Sequence, residues 1–340
     1  MSGLLSSPTL KRSQNKMLSI GPYANSSQVI LAPMAGITDK PFRDFCYRLG
    51  GFWTVSEMVT SNQKLWGSNK SRYRLNHADE SGLSWVQLAG SEPDQIAQAA
   101  KINVELGAQI IDINMGCPAK KVCKRDAGSA LLRNEALVAD ILSAVVSSVE
   151  VPVTLKIRLG WCPEEKNALS IASIAESEGV ELITVHGRTR KCRFSGTVDY
   201  EAIAAVKQSV SIPVVANGDI LNPSDAKSVL GLTGCDAVMI GRAAQGKPWL
   251  LSQIDQYLKF GTFQPDPSVD EVASLLTDHV RSLHVFYGED LGLRIARKHV
   301  GWSLDHIAGA ALLKQSFNRT SSIRDQFRII EQIRLLETAA

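Results

Sequence analysis

The 340-residue chain is short of the features that advertise a function by composition. Its six cysteines, at 46, 117, 123, 162, 192 and 235, form no Cys-x-x-Cys pair and no Cys/His ligand spacing. That argues against a zinc or iron–sulfur centre and against a disulfide framework, and fits reduced thiols in the cytoplasm. No run approaches the ~18 apolar residues of a membrane span. The Ser-rich start, with Lys11, Arg12 and Lys16, lacks the apolar core of a secretory signal, and residues 1–27 read as a flexible tail. A net charge of +3 does not mark a nucleic-acid binder, so such a role must rest on where the charges cluster. The G-x-G-x-x-G fingerprint is missing after the first apolar strand, which weakens an open dinucleotide-binding sheet. What remains is ordinary globular composition, 44% hydrophobic and 21% charged, in a chain long enough for a large barrel and a smaller module.

From Gln28 onward short apolar runs alternate with helical patterns. Strands are expected at Val29–Met34, Thr54–Met58, Trp85–Leu88, Ile110–Asn114, Val153–Leu159, Leu182–Val185, Pro213–Ala216 and Ala237–Ile240. Helices follow, from Asp39–Leu49 to Pro248–Leu258. Eight such units over 28–258 predict an α/β fold, a closed parallel (β/α)8 TIM barrel, with an open doubly wound sheet as the alternative. After Pro265 and Pro267 the strands stop. Amphipathic stretches at Val269–Tyr287, Gly292–Leu304 and Ser322–Leu336 predict a small all-helical domain over 266–338.

The run Ile110 to Arg125 is where chemistry is expected. On a strand, Asp112 and Asn114 share one face, and Gly116 and Pro118 set Cys117 in a fixed turn at the strand's end. Lys120, Lys121, Lys124 and Arg125 follow at once. Met34, Gln87, Asn114, Lys156, Arg158, His186, Asn217, Asp219 and Arg242 also fall at or just past carboxyl ends of strands, which in a barrel form one rim. Lys156 and Arg158 lie on an inward face, where two cations cost too much unless they reach an anion or an electron-rich ligand. Gly218 and Gly241, after the last two strands, let backbone N–H groups approach a phosphate that Arg242 can close bidentately. A phosphorylated cofactor is therefore expected. Gln87, Asn217 and Lys156 suit an isoalloxazine ring, while Lys156 keeps pyridoxal phosphate open. Two further basic groups stand out: Arg188, Arg190, Lys191 and Arg193 after His186, and Arg294, Arg297 and Lys298 on one helix face.

Four ordered segments then carry a resemblance: Ala32 to Asp39, Asn114 to Val122, His186 to Arg190, and Ala216 to Asp219. Between about Leu31 and Ser303 the chain resembles the tRNA-dihydrouridine synthases, and within them the bacterial B-type subgroup. The resemblance implies an oxidoreductase that uses noncovalent FMN and NADPH to reduce the 5,6 double bond of particular uridines in tRNA. It implies that Pro33, Met34, Ala35, Gln87, Lys156, His186, Asn217, Gly218, Asp219, Gly241 and Arg242 hold FMN. Cys117 would be the catalytic acid, and Asn114 and Arg158 would face the base. Lys120, Lys121, Arg188 and Arg190 would ring the entrance, and Arg294, Arg297 and Lys298 would meet the tRNA backbone. In that last segment Trp302 is present, but Ser303 stands where a tyrosine is usual. No metal, no membrane partner and a monomer are expected. A barrel reducing a small pyrimidine-like substrate shares the phosphate site and the cysteine acid but does not account for the one-faced basic stripe. A non-catalytic RNA chaperone does not account for Cys117 and Lys156.

Overall fold

The computed structural model describes residues 17–77 and 79–339. The chain starts with short elements: β1 (Leu18–Ile20), β2 (Tyr23–Asn25), β3 (Val29–Leu31), α1 (Lys40–Arg48), β4 (Trp53–Thr54) and β5 (Val59–Thr60). There follow α2 (Asn69–Arg74), β6 (Trp85–Ala89), α3 (Pro93–Glu105), β7 (Ile110–Met115), α4 (Lys120–Cys123), α5 (Glu135–Val146) and β8 (Val153–Arg158). A hairpin of β9 (Gly160–Cys162) and β10 (Glu165–Lys166) precedes α6 (Ala168–Ser177), β11 (Leu182–His186) and α7 (Tyr200–Ser209). The alternation ends with β12 (Val214–Asn217), α8 (Pro223–Thr233), β13 (Ala237–Ile240) and α9 (Leu250–Phe260).

The large sheet runs β4-β3-β13-β12-β11-β8-β7-β6-β5, with every pair parallel. Beyond β4, Val55 bridges Trp85 and the Ser56 N–H donates to the Trp85 carbonyl at 2.9 Å, which closes the ring. The expected barrel is therefore present, and its second strand is the one that differs. Thr54–Met58 is not one continuous strand but the junction of two pieces, β4 and β5, with Glu57 between them. The break lets the Glu57 carboxylate leave the ladder and accept from the Gly36 N–H at 2.5 Å and from Arg74 at 2.5 Å.

The period-two alternation of strand side chains sorts the barrel into two buried sets. Val29, Leu31, Val86, Leu88, Ile111 and Ile113 face outward to the helices, while Ile30, Trp53, Trp85, Ile110, Leu182 and Val215 fill the interior. Leu18 and Ile20 belong to the interior set, so the residues expected as tail are structured from β1 onward and close the barrel floor. Residues 1–16 lie outside the described residues. Filling the amino-terminal half with apolar side chains leaves the carboxyl-terminal half for polar ones.

Past α9, the helices α10 (Val269–Tyr287), α11 (Glu289–Leu304), α12 (Ala311–Arg319) and α13 (Ile323–Ile333) form the helical unit. Ser268 and Glu271 cap α10 reciprocally. Val280, Ala296, Val300, Phe317 and Ile330 make its core. Helix α12 is not among the predicted helices, because its single fully buried residue, Phe317, gives little periodic signal. The unit docks on α1 through rings: Phe45 stacks on His279 at 4.9 Å between centroids, and Phe42 meets His299 at 5.3 Å.

Candidate active site

A cavity of about 790 Å³ opens at the carboxyl ends of the barrel strands. Pro33, Met34, Ala35, Gln87, Asn114, Cys117, Lys156, Arg158, His186, Asn217, Gly218, Asp219, Gly241 and Arg242 all line it. Residues up to about 200 positions apart thus share one mouth because each ends, or directly follows, a strand of the same parallel ring.

One wall is a continuous hydrogen-bond chain. The Trp85 indole donates to Thr154 Oγ1 at 3.0 Å, which donates to Asp112 Oδ1 at 2.7 Å. Gln87 Nε2 donates to Asp112 Oδ2 at 2.7 Å, and this fixes which end of the Gln87 amide faces Asn114. Asn114 Nδ2 then donates to Gln87 Oε1 at 2.6 Å, leaving Asn114 Oδ1 to accept from the N–H groups of Gly116, at 3.2 Å, and Cys117, at 2.9 Å. Ser129 holds the far side of that turn by donating from Oγ to the Cys117 carbonyl at 2.9 Å. Burial pushes the Asp112 carboxyl up to about 6, against the lowering effect of Gln87 and Thr154. Burial also raises the Cys117 thiol, only partly offset by the Ala119 N–H, so it keeps its proton at neutral pH.

The cations occupy the adjoining positions. Lys156 Nζ donates to Asn217 Oδ1 at 3.1 Å, and Asn217 Nδ2 to the Met239 carbonyl at 2.8 Å. Burial first, then Arg158, lowers the Lys156 ammonium to about 8. Arg158 is fixed by backbone: Nε donates to the Gly116 carbonyl at 2.8 Å, and Nη1 to the carbonyls of Thr189, at 3.1 Å, and Arg193, at 2.7 Å. It therefore ties the Cys117 turn to the loop after β11. His186 is held neutral, its value lowered to about 2 by burial and by Arg158 and Lys156.

Three features suit a phosphorylated ring cofactor. His186 Nε2 is buried and has no partner among the described residues. A Cβ on Gly241 would come no nearer than 3.8 Å to protein, so its missing side chain leaves room for a ligand and is not needed by internal packing. Gly218, at φ +129°, would place a Cβ 2.9 Å from Val198 and 3.1 Å from His186, so only glycine lets this edge of the cavity form.

Several expected contacts have other work. Arg188 is not at the entrance: its side chain is 2% exposed and grips Asp219, with Nη1 to Oδ1 at 2.9 Å, and the carbonyls of Ser195 and Gly196. Asp219 also accepts from Arg242 at 3.1 Å, so its carboxylate is committed to two guanidinium groups. Arg190 lies over the Trp161 ring at 4.4 Å, with Arg133 at 5.0 Å from the same ring. Lys120, Lys121, Lys124 and Arg125 are exposed and, among the described residues, carry no ion pair. The stripe on α11 divides: Arg294 is exposed, whereas Arg297 donates to the Thr320 carbonyl at 2.8 Å and Lys298 donates to the Gly36 carbonyl. Phe194, not among the expected site residues, is 52% exposed at the cavity mouth, 5.4 Å from the Arg158 guanidinium and 4.8 Å from that of Arg242. An aromatic placed after a basic run beyond a strand end was the available signal.

The ring of parallel strands with a ligand-sized, polar-edged cavity at its carboxyl ends defines a (β/α)8-barrel enzyme. Histamine dehydrogenase from Rhizobium sp. 4-9 shares the fold, with a TM-score of 0.54 at 13% identity over 79% of this chain and 50% of that one. The model of the dihydrouridine synthase (Dus) family matches residues 30–339. The tRNA-dihydrouridine synthase B of Pseudomonas aeruginosa PAO1 is 56% identical over 313 residues, 92% of this chain and 94% of its own. That of Escherichia coli K12 is 54% identical over 312 residues, 92% and 97% of the two chains. The chain belongs to the dihydrouridine synthase family.

Proposed function

We propose that this protein reduces the 5,6 double bond of a uridine in tRNA to 5,6-dihydrouridine, in the cytoplasm, with noncovalent FMN in the cavity and NADPH as the reductant. The family and the tRNA-dihydrouridine synthase B relatives support the reaction and the substrate. The observation that carries the reading is a thiol kept protonated by burial, in the same cavity as a neutral imidazole whose buried Nε2 has no partner among the described residues and a half-buried ammonium.

FMN, when bound, supplies hydride to C6 of the uracil. Cys117 Sγ–H donates the proton that C5 needs, and the Asn114 amide holds its turn in place for that transfer. Lys156, His186, Gln87 and Asn217, with the backbone of Pro33, Met34 and Ala35, would surround the ring. Gly218, Asp219, Gly241 and Arg242 would take the phosphate, Asp219 through its backbone. Asn114 keeps one amide hydrogen and Arg158 a terminal nitrogen for the base, which enters flipped out of its stack. Lys120, Lys121 and Arg294 are exposed cations that would meet RNA phosphates, and Arg190, stacked on Trp161, would add a fourth.

The test is direct. Purified protein is expected to be yellow, to release FMN on denaturation, and to form dihydrouridine in unmodified tRNA when given NADPH. A preparation that takes up no FMN, or a loaded one that leaves tRNA unreduced, rejects the reading.

A further inference from the structure

The loop Pro33–Ile37 after β3 lines the cavity, yet what fixes it comes largely from elsewhere in the chain. Within the loop, the N–H groups of Ile37 and Thr38 donate to the Met34 carbonyl at 3.0 Å each, and the Met34 N–H donates to Thr38 Oγ1 at 2.9 Å. At its tip, Gly36, with φ +76°, has both backbone groups taken by side chains. Its N–H donates to Glu57, which Arg74 holds from behind; its carbonyl accepts from Lys298, 262 positions later on α11. A second tie lies just beyond, where the Tyr287 hydroxyl at the end of α10 donates to Asp39 Oδ2 at 2.9 Å. Asp39 Oδ1 meanwhile accepts from the Phe42 N–H at 3.0 Å and caps α1. Asp39 and Glu57 are buried, and Tyr287 and Lys298 are half-buried.

We infer that the helical unit, through Lys298 and Tyr287, clamps this loop and so sets how tightly the cavity holds its flavin. Both are positioning residues: neither lines the cavity, and each acts through the loop that does. The inference rests on the flavin reading above. It assigns Lys298 a role other than the RNA contact its place on the basic stripe suggests, because an ammonium committed to a carbonyl inside the protein is a poor partner for phosphate. Both ties include a charged group, the Lys298 ammonium in one and the Asp39 carboxylate in the other, but only Lys298 reaches the loop tip itself, since Asp39 lies beyond the loop.

The experiment uses full-length protein stripped of flavin and titrated with FMN. Lys298→Met keeps the aliphatic stem and loses the donor; Tyr287→Phe keeps the ring, which packs on Tyr73 at 4.7 Å, and loses only the hydroxyl. FMN binding is expected to weaken about tenfold in Lys298→Met and less in Tyr287→Phe, with Lys298→Arg restoring most of the affinity. The visible flavin band should shift in the Met variant, and the salt dependence of tRNA binding should match the wild type. Wild-type protein that binds FMN while Lys298→Met binds it equally well overturns the clamp and leaves the proposed reaction standing. A loss of thermal stability without any change in FMN affinity overturns it too, since that is all a merely structural contact would produce. A tRNA salt slope lowered by about one, with FMN affinity unchanged, returns Lys298 to phosphate contact. Wild-type protein that binds no FMN overturns both readings.

Discussion

Cys117 sits in a turn whose amides are capped by Asn114, and Asn114 is itself oriented through Gln87 by a buried carboxyl. A nucleophilic cysteine gains from a lowered pKa, but this one is raised, chiefly by burial, which suits a proton donor. Cys117→Ala is therefore expected to keep FMN and tRNA binding while slowing dihydrouridine formation by roughly 10²–10⁴. Single-turnover assays with reduced protein would show it, and near-normal product formation would remove Cys117 from the acid role. With the thiol raised, the wild-type rate should stay level through neutrality and fall only on the alkaline side, as the proton is lost. At this scale the sequence was legible wherever a residue ends a strand, because strand register delivers it to the rim without further information. It was not legible for Arg188 or Lys298. Their partners, Asp219 and Gly36, lie 31 and 262 positions away, and only loop geometry makes a guanidinium an internal strut or an ammonium a clamp.

Among the elements, eight apolar runs were enough to predict the barrel, since a parallel ring buries both faces of every strand and leaves a strong signal. The divided second strand was hidden, because nothing in Thr54–Met58 shows that Glu57 will abandon the ladder for Gly36 and Arg74. The floor hairpin was hidden for a related reason: three-residue strands such as Leu18–Ile20 are too short to show a period. Gly218 after β12 suits a phosphate site by its position alone, and the structure adds a steric requirement. Gly218→Ala would place a methyl group within 2.9 Å of Val198 and 3.1 Å of His186 at φ +129°, where side chains are rarely tolerated. We expect this variant to lose about 1–3 kcal/mol of stability. FMN binding should fall further than stability does, because the His186 ring is pushed from its seat. Equilibrium denaturation of flavin-free protein, set beside an FMN titration, separates the two effects. Wild-type FMN affinity would show that this edge does not touch the cofactor.

Across the whole molecule, the barrel and the helical unit meet over buried imidazoles. His279 and His299 lie 4.8 Å apart between ring centroids, packed on Phe42 and Phe45 from α1 and, for His299, Trp302. Among the described residues neither nitrogen of His279 has a partner. Burial, with Arg48 nearby, lowers His279 to about 3; burial, His279 and Lys298 lower His299 well below its usual value. The unfolded chain protonates both near pH 6.5 while the native state does not, so stability rises with pH across this window and is lost as pH falls through it. At pH 5 His279 costs about 2 kcal/mol relative to pH 7, and His299 acts in the same direction. Asp39 and Asp112, both raised to about 6 by burial, act with the opposite sign, since between their ordinary value and 6 the native state binds the extra proton. A single acid titration of the wild type therefore mixes the two effects, and a comparison of variants isolates the histidine. His279→Phe, which keeps a ring against Phe45 and removes the titrating group, is expected to shrink the stability difference between pH 7 and pH 5 by about 2 kcal/mol. Denaturant midpoints at the two pH values measure it, and an unchanged difference would mean that acid first opens some other part of the molecule than the seam between barrel and helices.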